Sequence, residues 1–212
     1  MAKLTLTTFL SLDGVMQGPG GPEEDPRDGF DLGGWLVPYA DEAMGRQVAE
    51  WFGRAGGFLL GRVTYEIFAA YWPQVSDEED PVVARRLNSL PKYVASTTLD
   101  HLDWKGSTLL GSLAGNADDT RNTVEAVRRL KEQPGDELQI HGSGALARSL
   151  MEHDLIDEYR LLVYPVVLGR GRHLFADGAV PTALRLLESD TTPAGVAVHT
   201  YVPEGRPTFG SM

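Results

Sequence analysis

The sequence predicts an α/β protein in which a mainly parallel sheet carries helices on both faces and ends in an antiparallel C-terminal hairpin. Three observations predict this fold class. Short apolar strands alternate with amphipathic helices through most of the chain, glycines stand where strands pass into helices, and the C-terminal stretch shows strand patterns alone. The 212 residues contain no internal repeat and no low-complexity linker, so we predict a single domain over residues 1–212.

The N-terminal part begins with a strand and a long loop. Residues 3–10 (KLTLTTFL) alternate Leu and Thr as a half-buried strand does, and the pattern stops at Asp13-Gly14. The following stretch, 17–34, is rich in Gly, Pro and acidic residues, which predicts a loop long enough to be functional. Asp41 is then well placed to cap a helix whose apolar residues recur at helical spacing.

Strands and helices alternate from there to the C-terminal hairpin. The patterns predict a buried strand over 56–61, further strands over 92–96, 107–110 and 138–141, and a long strand over 158–167. They predict helices over 63–71, 81–89, 118–133 and 145–153, the first two of which flank an acidic turn. Two further strands, 182–189 and 196–202, are expected to pair antiparallel about a turn at 191–195.

Composition excludes several kinds of chemistry. The chain contains no Cys, which excludes disulfides, thiolate metal sites and a cysteine nucleophile. Its five His residues show no metal-binding spacing, so we expect no metal site. A net charge of −11 disfavours nucleic acid and anionic membranes as partners. No apolar run is long enough to span a membrane and no secretory pattern opens the chain, so we expect a cytoplasmic protein.

Glycine turns between strands and helices are the candidate ligand sites. In IHGSGAL (140–146) a buried strand runs through glycines into a helix, and LLGRVTY (59–65) has the same layout. A third strand end, VASTT (94–98), adds hydroxyl groups. Because the carboxyl ends of parallel strands share one rim, the three ends together predict an anion-binding site. Each is also consistent with a plain tight turn or a helix cap.

Four segments carry a resemblance to a known family. They are SLDG at 11–14, LLGRVTYE at 59–66, KYVAS at 92–96 and HGSGALARSLMEHDLIDEYRLLVYPVVLGRGRHLF at 141–175. In this order they resemble the dihydrofolate reductase-like family, in particular the C-terminal reductase domain of bifunctional riboflavin-biosynthesis proteins, over about residues 3–202. The resemblance implies a stand-alone member, because the zinc deaminase fused to the reductase in bifunctional members needs cysteines.

The resemblance also implies a reductase that uses NADPH. The positions that match the family's cofactor contacts are Gly61, Arg62, Thr64 and Ser96 near the adenosine-side phosphates, and Gly142, Ser143, Gly144 and Leu146 in the pyrophosphate loop. Arg62 favours NADP over NAD, because the additional 2′-phosphate needs a cation where an NAD site typically offers a carboxylate.

Two acidic residues are candidates for the proton donor that hydride transfer requires. Asp13 follows the first strand, and Asp41 heads the helix after Trp35 and Pro38. The second arrangement loosely resembles the tryptophan, proline and acidic residue of dihydrofolate reductases, with a spacing one residue longer. That difference weakens the case for Asp41 and for folate as the substrate. As alternatives, Asp13 forms an ordinary turn with Gly14, and Asp41 only caps a helix.

Two functions from different classes follow. The first is an NADPH-dependent oxidoreductase, similar to 5-amino-6-(5-phosphoribosylamino)uracil reductase or to dihydrofolate reductase. It would transfer a hydride to a small heterocyclic substrate such as a pterin or an aminopyrimidine. The second is a non-catalytic, dinucleotide-binding homodimer that keeps the cofactor rim without turnover. Reductase domains of this family commonly pair, so the resemblance implies a homodimer in either case.

Overall fold

The computed structural model of the chain describes residues 1–110, 117–175 and 177–211, and it leaves out the side chains of residues 117–121. Its strands are β1 (Leu4–Ser11), β2 (Ala55–Gly61), β3 (Lys92–Ala95), β4 (Ser107–Leu110), β5 (Glu137–His141), β6 (Glu158–Tyr164), β7 (Leu184–Thr191) and β8 (Ala197–Pro203). All were predicted from the sequence, with small differences at their ends. The strand expected over 158–167 ends at Tyr164, because Pro165 cannot donate a hydrogen bond to a neighbouring strand.

Helices connect most of the strands. They are α1 (Glu42–Gly53), α2 (Arg62–Tyr71), α3 (Val83–Ser89), α4 (Ala117–Glu132) and α5 (Gly144–Glu152). Asp41 caps α1, its Oδ1 accepting a hydrogen bond from Met44 N at 2.8 Å. A short 3-10 turn, Arg27–Gly29, lies inside the predicted loop, and a second, Val37–Tyr39, leads into α1. Across the part of the chain that the structure describes, no helix combines the length and apolarity needed to cross a membrane.

The strands form one sheet in the order β4-β3-β2-β5-β1-β6-β8-β7. The strands from β4 to β6 in this order run parallel to their neighbours, whereas β8 runs antiparallel to both β6 and β7. The antiparallel C-terminal hairpin is therefore present as predicted. The parallel part follows from the alternation of strands and helices, because parallel neighbours need a crossover connection.

Helices cover both faces of the sheet. Successive side chains of a strand point to opposite faces, and β2 shows the consequence. Leu59 belongs to a core cluster that includes Val127 of α4, whereas its neighbour Phe58 packs with Phe52 of α1 and Leu87 of α3. All of these side chains are at least 95% buried, and each such burial contributes about 1.5–3 kcal/mol. The two cores hold the sheet between helix layers and fix the position of its rim.

The carboxyl ends of β1, β2, β3, β5 and β6 lie along one rim of the sheet, because these strands are parallel. Helix α2 begins directly after β2, and two residues, Gly142 and Ser143, separate the end of β5 from the start of α5. Strands β2 and β5 are neighbours, so the two helix N-termini start side by side. This rim is where the sequence predicts the ligand site.

Candidate active site

A cavity of about 970 Å³ opens at the carboxyl ends of the strands. Strands β1, β2, β3 and β5, the first turns of α2 and α5, one side of α1 and the loop after β1 all contribute to its lining. The eight residues predicted to bind a cofactor all lie on that lining: Gly61, Arg62, Thr64, Ser96, Gly142, Ser143, Gly144 and Leu146. We call residues 61–64 together with 142–146 the rim wall.

Hydrogen bonds join the two glycine turns of the rim wall. Gly61 N donates to Ser143 Oγ at 3.0 Å, and Ser143 N donates to Thr64 Oγ1 at 3.1 Å. The hydroxyl of Ser143 in turn donates to the carbonyl oxygen of His141 at 2.9 Å. The turns after β2 and β5 are therefore one cross-linked unit, and the two helix N-termini are held at a fixed separation.

The first turns of α2 and α5 present backbone N–H groups to the cavity. The N-cap residues Gly61 and Ser143 make no side-chain hydrogen bond to their own helices. A ligand anion can take those N–H groups, and the helix dipoles favour it. Gly142 and Ser143 have positive φ angles of 54° and 52°. Their own N–H groups donate within the protein, Gly142 N to the Thr7 carbonyl oxygen at 3.2 Å and Ser143 N to Thr64 Oγ1 at 3.1 Å, so the N–H groups left for an anion are those of the first turn of α5. Ser143 lacks the conformational freedom of glycine, and strain of this kind concentrates at functional sites.

Arg62 and Ser96 have partners that leave them able to bind a ligand. The Arg62 guanidinium lies 2.9 and 3.1 Å from the carboxylate oxygens of Glu66, and both side chains are more than 40% exposed. An exposed pair of this kind contributes only about 0–1 kcal/mol, so Arg62 can turn toward a phosphate at small cost. Ser96 Oγ accepts hydrogen bonds from the N–H groups of Thr98 and Leu99, and its own hydrogen stays available.

Helix α1 supplies a second wall without charge. Its cavity-lining residues are Met44, Gly45, Val48, Ala49 and Phe52, which we call the α1 wall. Phe9 of β1 and Leu36 of the preceding loop extend the same apolar surface. A flat apolar group or ring would pack against such a surface, as in most small-molecule sites.

The two predicted proton donors lie outside the lining of this cavity. The Ser11 hydroxyl and the Gly169 N–H donate to Asp13 at 2.6 and 2.7 Å, and they lower the pKa of its carboxyl to about 2. Asp41 accepts hydrogen bonds from Met44 N and one further backbone N–H, which also lowers its pKa. Both are carboxylates at neutral pH and hold no proton to donate. Their catalytic role stays a prediction that the geometry does not favour.

A carboxyl that the sequence did not single out does line the cavity. Glu24 belongs to the predicted loop over 17–34, and burial raises the pKa of its side chain. The N–H groups of Gly20 and Gly21 donate to its Oε2 and hold it in place. A carboxyl with a raised pKa on a cavity wall has the property of a general acid. The only sequence signal for it is the acidic character of the loop.

The net charge of the cavity lining favours an anionic ligand, whereas the net charge of the whole chain does not. The lining contains four cationic side chains and three acidic ones: Arg27, Arg62, Arg148, Arg172, Glu24, Asp25 and Asp80. This slight positive excess contrasts with the net charge of −11 for the whole chain. Among the described residues, no group of three His, Asp or Glu side chains is placed to hold a metal ion. The site therefore offers backbone N–H groups, hydroxyls and guanidinium groups as its ligand contacts.

The chain belongs to the RibD C-terminal domain family, whose family model matches residues 2–198. The uncharacterized protein YyaP of Bacillus subtilis is 27% identical to it over 203 residues, which cover 94% of each chain. The family resemblance predicted from the sequence is thereby confirmed.

Solved structures share the fold at low sequence identity. A deaminase/5-amino-6-(5-phosphoribosylamino)uracil reductase from Thermotoga maritima is 13% identical, with a TM-score of 0.57 over 95% of this chain and 56% of its own. Dihydrofolate reductase from Enterococcus faecalis, in a complex with NADP(H), is also 13% identical, with a TM-score of 0.57 over 95% of this chain and 96% of its own. The predicted dihydrofolate reductase-like fold class is confirmed.

Proposed function

We propose that the protein is an oxidoreductase that uses NADPH to reduce a small heterocyclic substrate of the pterin or aminopyrimidine type. The observation that carries this proposal is the cross-linked pair of glycine turns, which points two helix N-termini at one cavity. A phosphorylated dinucleotide carries several anionic groups, and each helix N-terminus can receive one. Membership of the RibD C-terminal domain family supports the same class of function.

The rim wall fits a phosphorylated dinucleotide. A Cβ at Gly61 would lie 3.5 Å from Ser143 Cβ, and a Cβ at Gly142 would lie 3.4 Å from Thr64 Oγ1. The absence of side chains at these two glycines lets the two turns pack closely against each other, which places the first turns of α2 and α5 side by side for a ligand with several phosphate groups. The first turn of α5, which follows Gly142 and Ser143, would hold the pyrophosphate, and the first turn of α2, with Arg62 and the Thr64 hydroxyl, would hold the adenosine side.

The reaction needs a hydride and a proton. Bound NADPH would supply a hydride for one atom of a C=N, C=C or C=O bond, and a side chain of the protein would supply the proton for the other atom. We propose Glu24 as the donor, in preference to Asp13 and Asp41, because it lines the cavity and burial raises its pKa. The α1 wall would pack against the flat substrate and exclude water from the reacting bond.

A binding protein without turnover is the second candidate. The position of Asp13 and Asp41 outside the cavity favours it, since a protein that lacks a proton donor can still hold a dinucleotide. The two candidates share cofactor binding and differ only in turnover. If the protein binds NADPH tightly but does not oxidise it in the presence of dihydrofolate, aminopyrimidine or quinone substrates, the result would favour the binding protein.

We also propose that two copies of the chain associate. The edge strand β7 exposes Leu186 and Leu187 among charged residues, and an unpaired sheet edge with exposed apolar side chains is a common site of pairing between chains. The molecular mass in solution tests this: a mass of one chain would contradict it.

Titration with NADPH and NADH tests the cofactor proposal. The four Trp residues provide a fluorescence signal, and Trp72 lies on the cavity lining. We expect saturable binding of NADPH and at least about tenfold weaker binding of NADH, because a phosphate–arginine pair contributes more than about 1.4 kcal/mol. No saturable binding of either cofactor would refute both candidate functions.

The substitution Arg62→Ala tests the residue assignment. It should weaken NADPH binding by about 1.5–3 kcal/mol and change NADH binding little. Arg46→Ala is the matched control, because Arg46 forms the same kind of exposed pair one helical turn from a glutamate, with Glu42, and lies outside the cavity lining. An equal loss for both cofactors would mean that Arg62 does not contact the 2′-phosphate.

A further inference from the structure

His141 is a buried imidazole on the wall of the cavity, where the rim wall and the α1 wall meet. His141 is 6% exposed and belongs to the cavity lining. The ring stacks on Phe52 of α1 with centroids 4.2 Å apart and planes 19° apart. Stacking fixes the plane of the imidazole, so the direction of each ring nitrogen is also fixed.

The neighbouring side chain of Gln139 decides which ring nitrogen carries the hydrogen. Gln139 Nε2 donates to the carbonyl oxygen of Trp51 at 2.6 Å and to Glu137 Oε1 at 2.5 Å. Its Oε1 lies 3.0 Å from His141 Nε2 and can only accept. His141 must therefore donate from Nε2, which leaves the lone pair on Nδ1.

An ion pair prevents the reverse arrangement of the amide. Arg160 is fully buried and binds both carboxylate oxygens of Glu137 at 2.7 Å. A flipped Gln139 would place its carbonyl oxygen against that carboxylate and against the carbonyl of Trp51, with no hydrogen between them. Arg160, Glu137 and Gln139 are thus positioning residues that hold His141 as a hydrogen-bond acceptor. No hydrogen bond to Nδ1 is present within the described part of the chain.

Thr7 places a second polar group beside His141. It pairs with His141 in the parallel register of β1 and β5, so the two side chains share one face of the sheet. Gly142 N donates to the Thr7 carbonyl at 3.2 Å and ties the two strand ends together. The Thr7 hydroxyl is buried and has no hydrogen-bond partner in the described residues, and Thr7 belongs to the cavity lining. Buried polar groups without partners are rare. Of the five such side-chain atoms among the described residues, Thr7 Oγ1 is the one that belongs to the lining and shares the sheet face of His141.

We propose that His141 Nδ1 and the Thr7 hydroxyl together recognise a neutral amide, with Nδ1 accepting its N–H and Thr7 donating to its adjoining carbonyl. Two molecules could present this group: the heterocyclic substrate, as a ring amide, or the carboxamide of the nicotinamide. The inference rests on the proposed function, and it makes His141 the residue that selects uncharged N–H donors.

Nitrogen NMR tests the tautomer directly. In protein labelled with ¹⁵N at histidine, the long-range proton–nitrogen spectrum at neutral pH should show His141 protonated at Nε2 alone. Gln139→Leu should yield a mixture of tautomers, since the acceptor for Nε2–H is lost. Protonation of His141 at Nδ1 in the unsubstituted protein would overturn the proposal.

Pairs of probes that differ by an N–H donor identify the ligand group. NADPH is compared with its reduced 3-acetylpyridine analogue, and uracil is compared with 1,3-dimethyluracil on the protein with and without added NADP⁺. A shift of the Nδ1 resonance by NADPH, absent with the analogue, assigns the carboxamide. A shift by uracil, absent with dimethyluracil, assigns a substrate ring. An Nδ1 resonance that moves with neither NADPH nor uracil overturns the proposal.

Two substitutions that keep shape test the contacts. His141→Phe retains the stacked ring and Thr7→Val retains the branched shape, and each should weaken the N–H-bearing probe by about 5- to 30-fold. His141→Phe should change binding of the probe without N–H by less than about twofold, whereas Thr7→Val should weaken both probes, because both keep the carbonyl to which Thr7 donates. Equal weakening of both probes by His141→Phe would mean that the ring only fills space, and unchanged binding of both probes in Thr7→Val would remove Thr7 from the recognition. His153→Phe, at an exposed histidine, is the control. A complete failure of NADPH to bind refutes the proposed function, while the uracil pair still tests the recognition.

Discussion

The rim wall and the α1 wall face one cavity but recognise a ligand in different ways. The rim wall offers backbone N–H groups, hydroxyls and one arginine, and it is held by hydrogen bonds between Gly61, Thr64 and Ser143. The α1 wall offers only uncharged side chains from Met44 to Phe52. The rim wall can bind the anionic groups of ligands that differ in shape, whereas the α1 wall selects a ligand by its size and by how well its apolar surface packs.

This difference separates the cofactor side of the site from the substrate side. The contacts of the rim wall come mainly from backbone groups, so they depend on where α2 and α5 begin. The contacts of the α1 wall come from side chains, so substitutions there can change the substrate without disturbing the cofactor. Neither wall contains a carboxyl group, so a carboxylic proton donor must come from another element, and Glu24 on the loop lines the cavity with a raised pKa.

The largest effect is expected from Glu24→Gln, which tests whether the proton donor is Glu24, a residue outside both walls. The amide keeps the shape and loses the proton, so turnover should fall by about 100- to 1,000-fold. The affinity for NADPH should stay within about twofold of the unsubstituted protein. Single-turnover oxidation of NADPH, followed by its absorbance, measures the rate. Asp13→Asn and Asp41→Asn are the matched controls, and a loss of similar size in either would return the donor to that residue.

Gly144→Val should break the rim wall. A Cβ on Gly144 would lie 2.6 Å from Met16 Sδ and 3.4 Å from a guanidinium nitrogen of Arg148, so a branched side chain must displace both. It would also project into the first turn of α5, where we propose that the pyrophosphate binds. NADPH affinity should fall by about 100-fold, or roughly 2.7 kcal/mol. A thermal unfolding curve checks that the variant folds; retention of full affinity in a folded variant would contradict the assignment.

His141 lies where the two walls meet, and its burial lowers the stability of the folded protein at acidic pH. Burial, assisted by the charge of Arg160, lowers the pKa of the His141 imidazole from its ordinary value to about 3. Between pH 6.5 and pH 3 the unfolded chain binds a proton at this residue that the folded chain does not bind. Stability is therefore lost as the pH falls through this range.

His141→Phe should remove that acid sensitivity. The free energy of unfolding is measured in urea at pH 6.5 and at pH 4.5. Between these two pH values it should fall by about 2 kcal/mol less in His141→Phe than in the unsubstituted protein. Burial also raises the pKa of Glu24, but Glu24 is present in both proteins and its contribution cancels in the comparison. An unchanged difference between the two pH values would mean that His141 is protonated in the folded state.

The sequence predicted the rim wall because its signals are local. A strand, one or two glycines and the start of a helix are adjacent in the chain at Gly61 and again at Gly142. The order of strands and helices then places both turns on one rim, as parallel sheets require. The helix cap at Asp41 was predicted for the same reason, since its hydrogen bond reaches only to Met44.

The roles of His141 and Glu24 could not be predicted in this way. The tautomer of His141 depends on Gln139, whose amide is held by a carbonyl 88 residues away at Trp51. Glu24 differs from its buried neighbour Asp25 because Asp25 pairs with Arg27, which lowers its pKa, whereas burial raises the pKa of Glu24; the composition of the loop does not show this difference. Asp13 follows a strand as a catalytic residue often does, but two nearby turns surround it with N–H and O–H donors that keep it ionised.

The smallest effect is expected at Gly45, and it tests whether the two walls act separately. Gly45 lies inside α1, and a Cβ there meets no atom within 4 Å, so alanine fits without a clash. Gly45→Ala should raise the free energy of unfolding by about 0.5–1 kcal/mol, because alanine is the better helix former. Its methyl group narrows only the α1 wall, so substrate KM should change while the Kd for NADPH does not. Equal changes in both would mean that cofactor and substrate share this wall, and the division of the cavity would have to be redrawn.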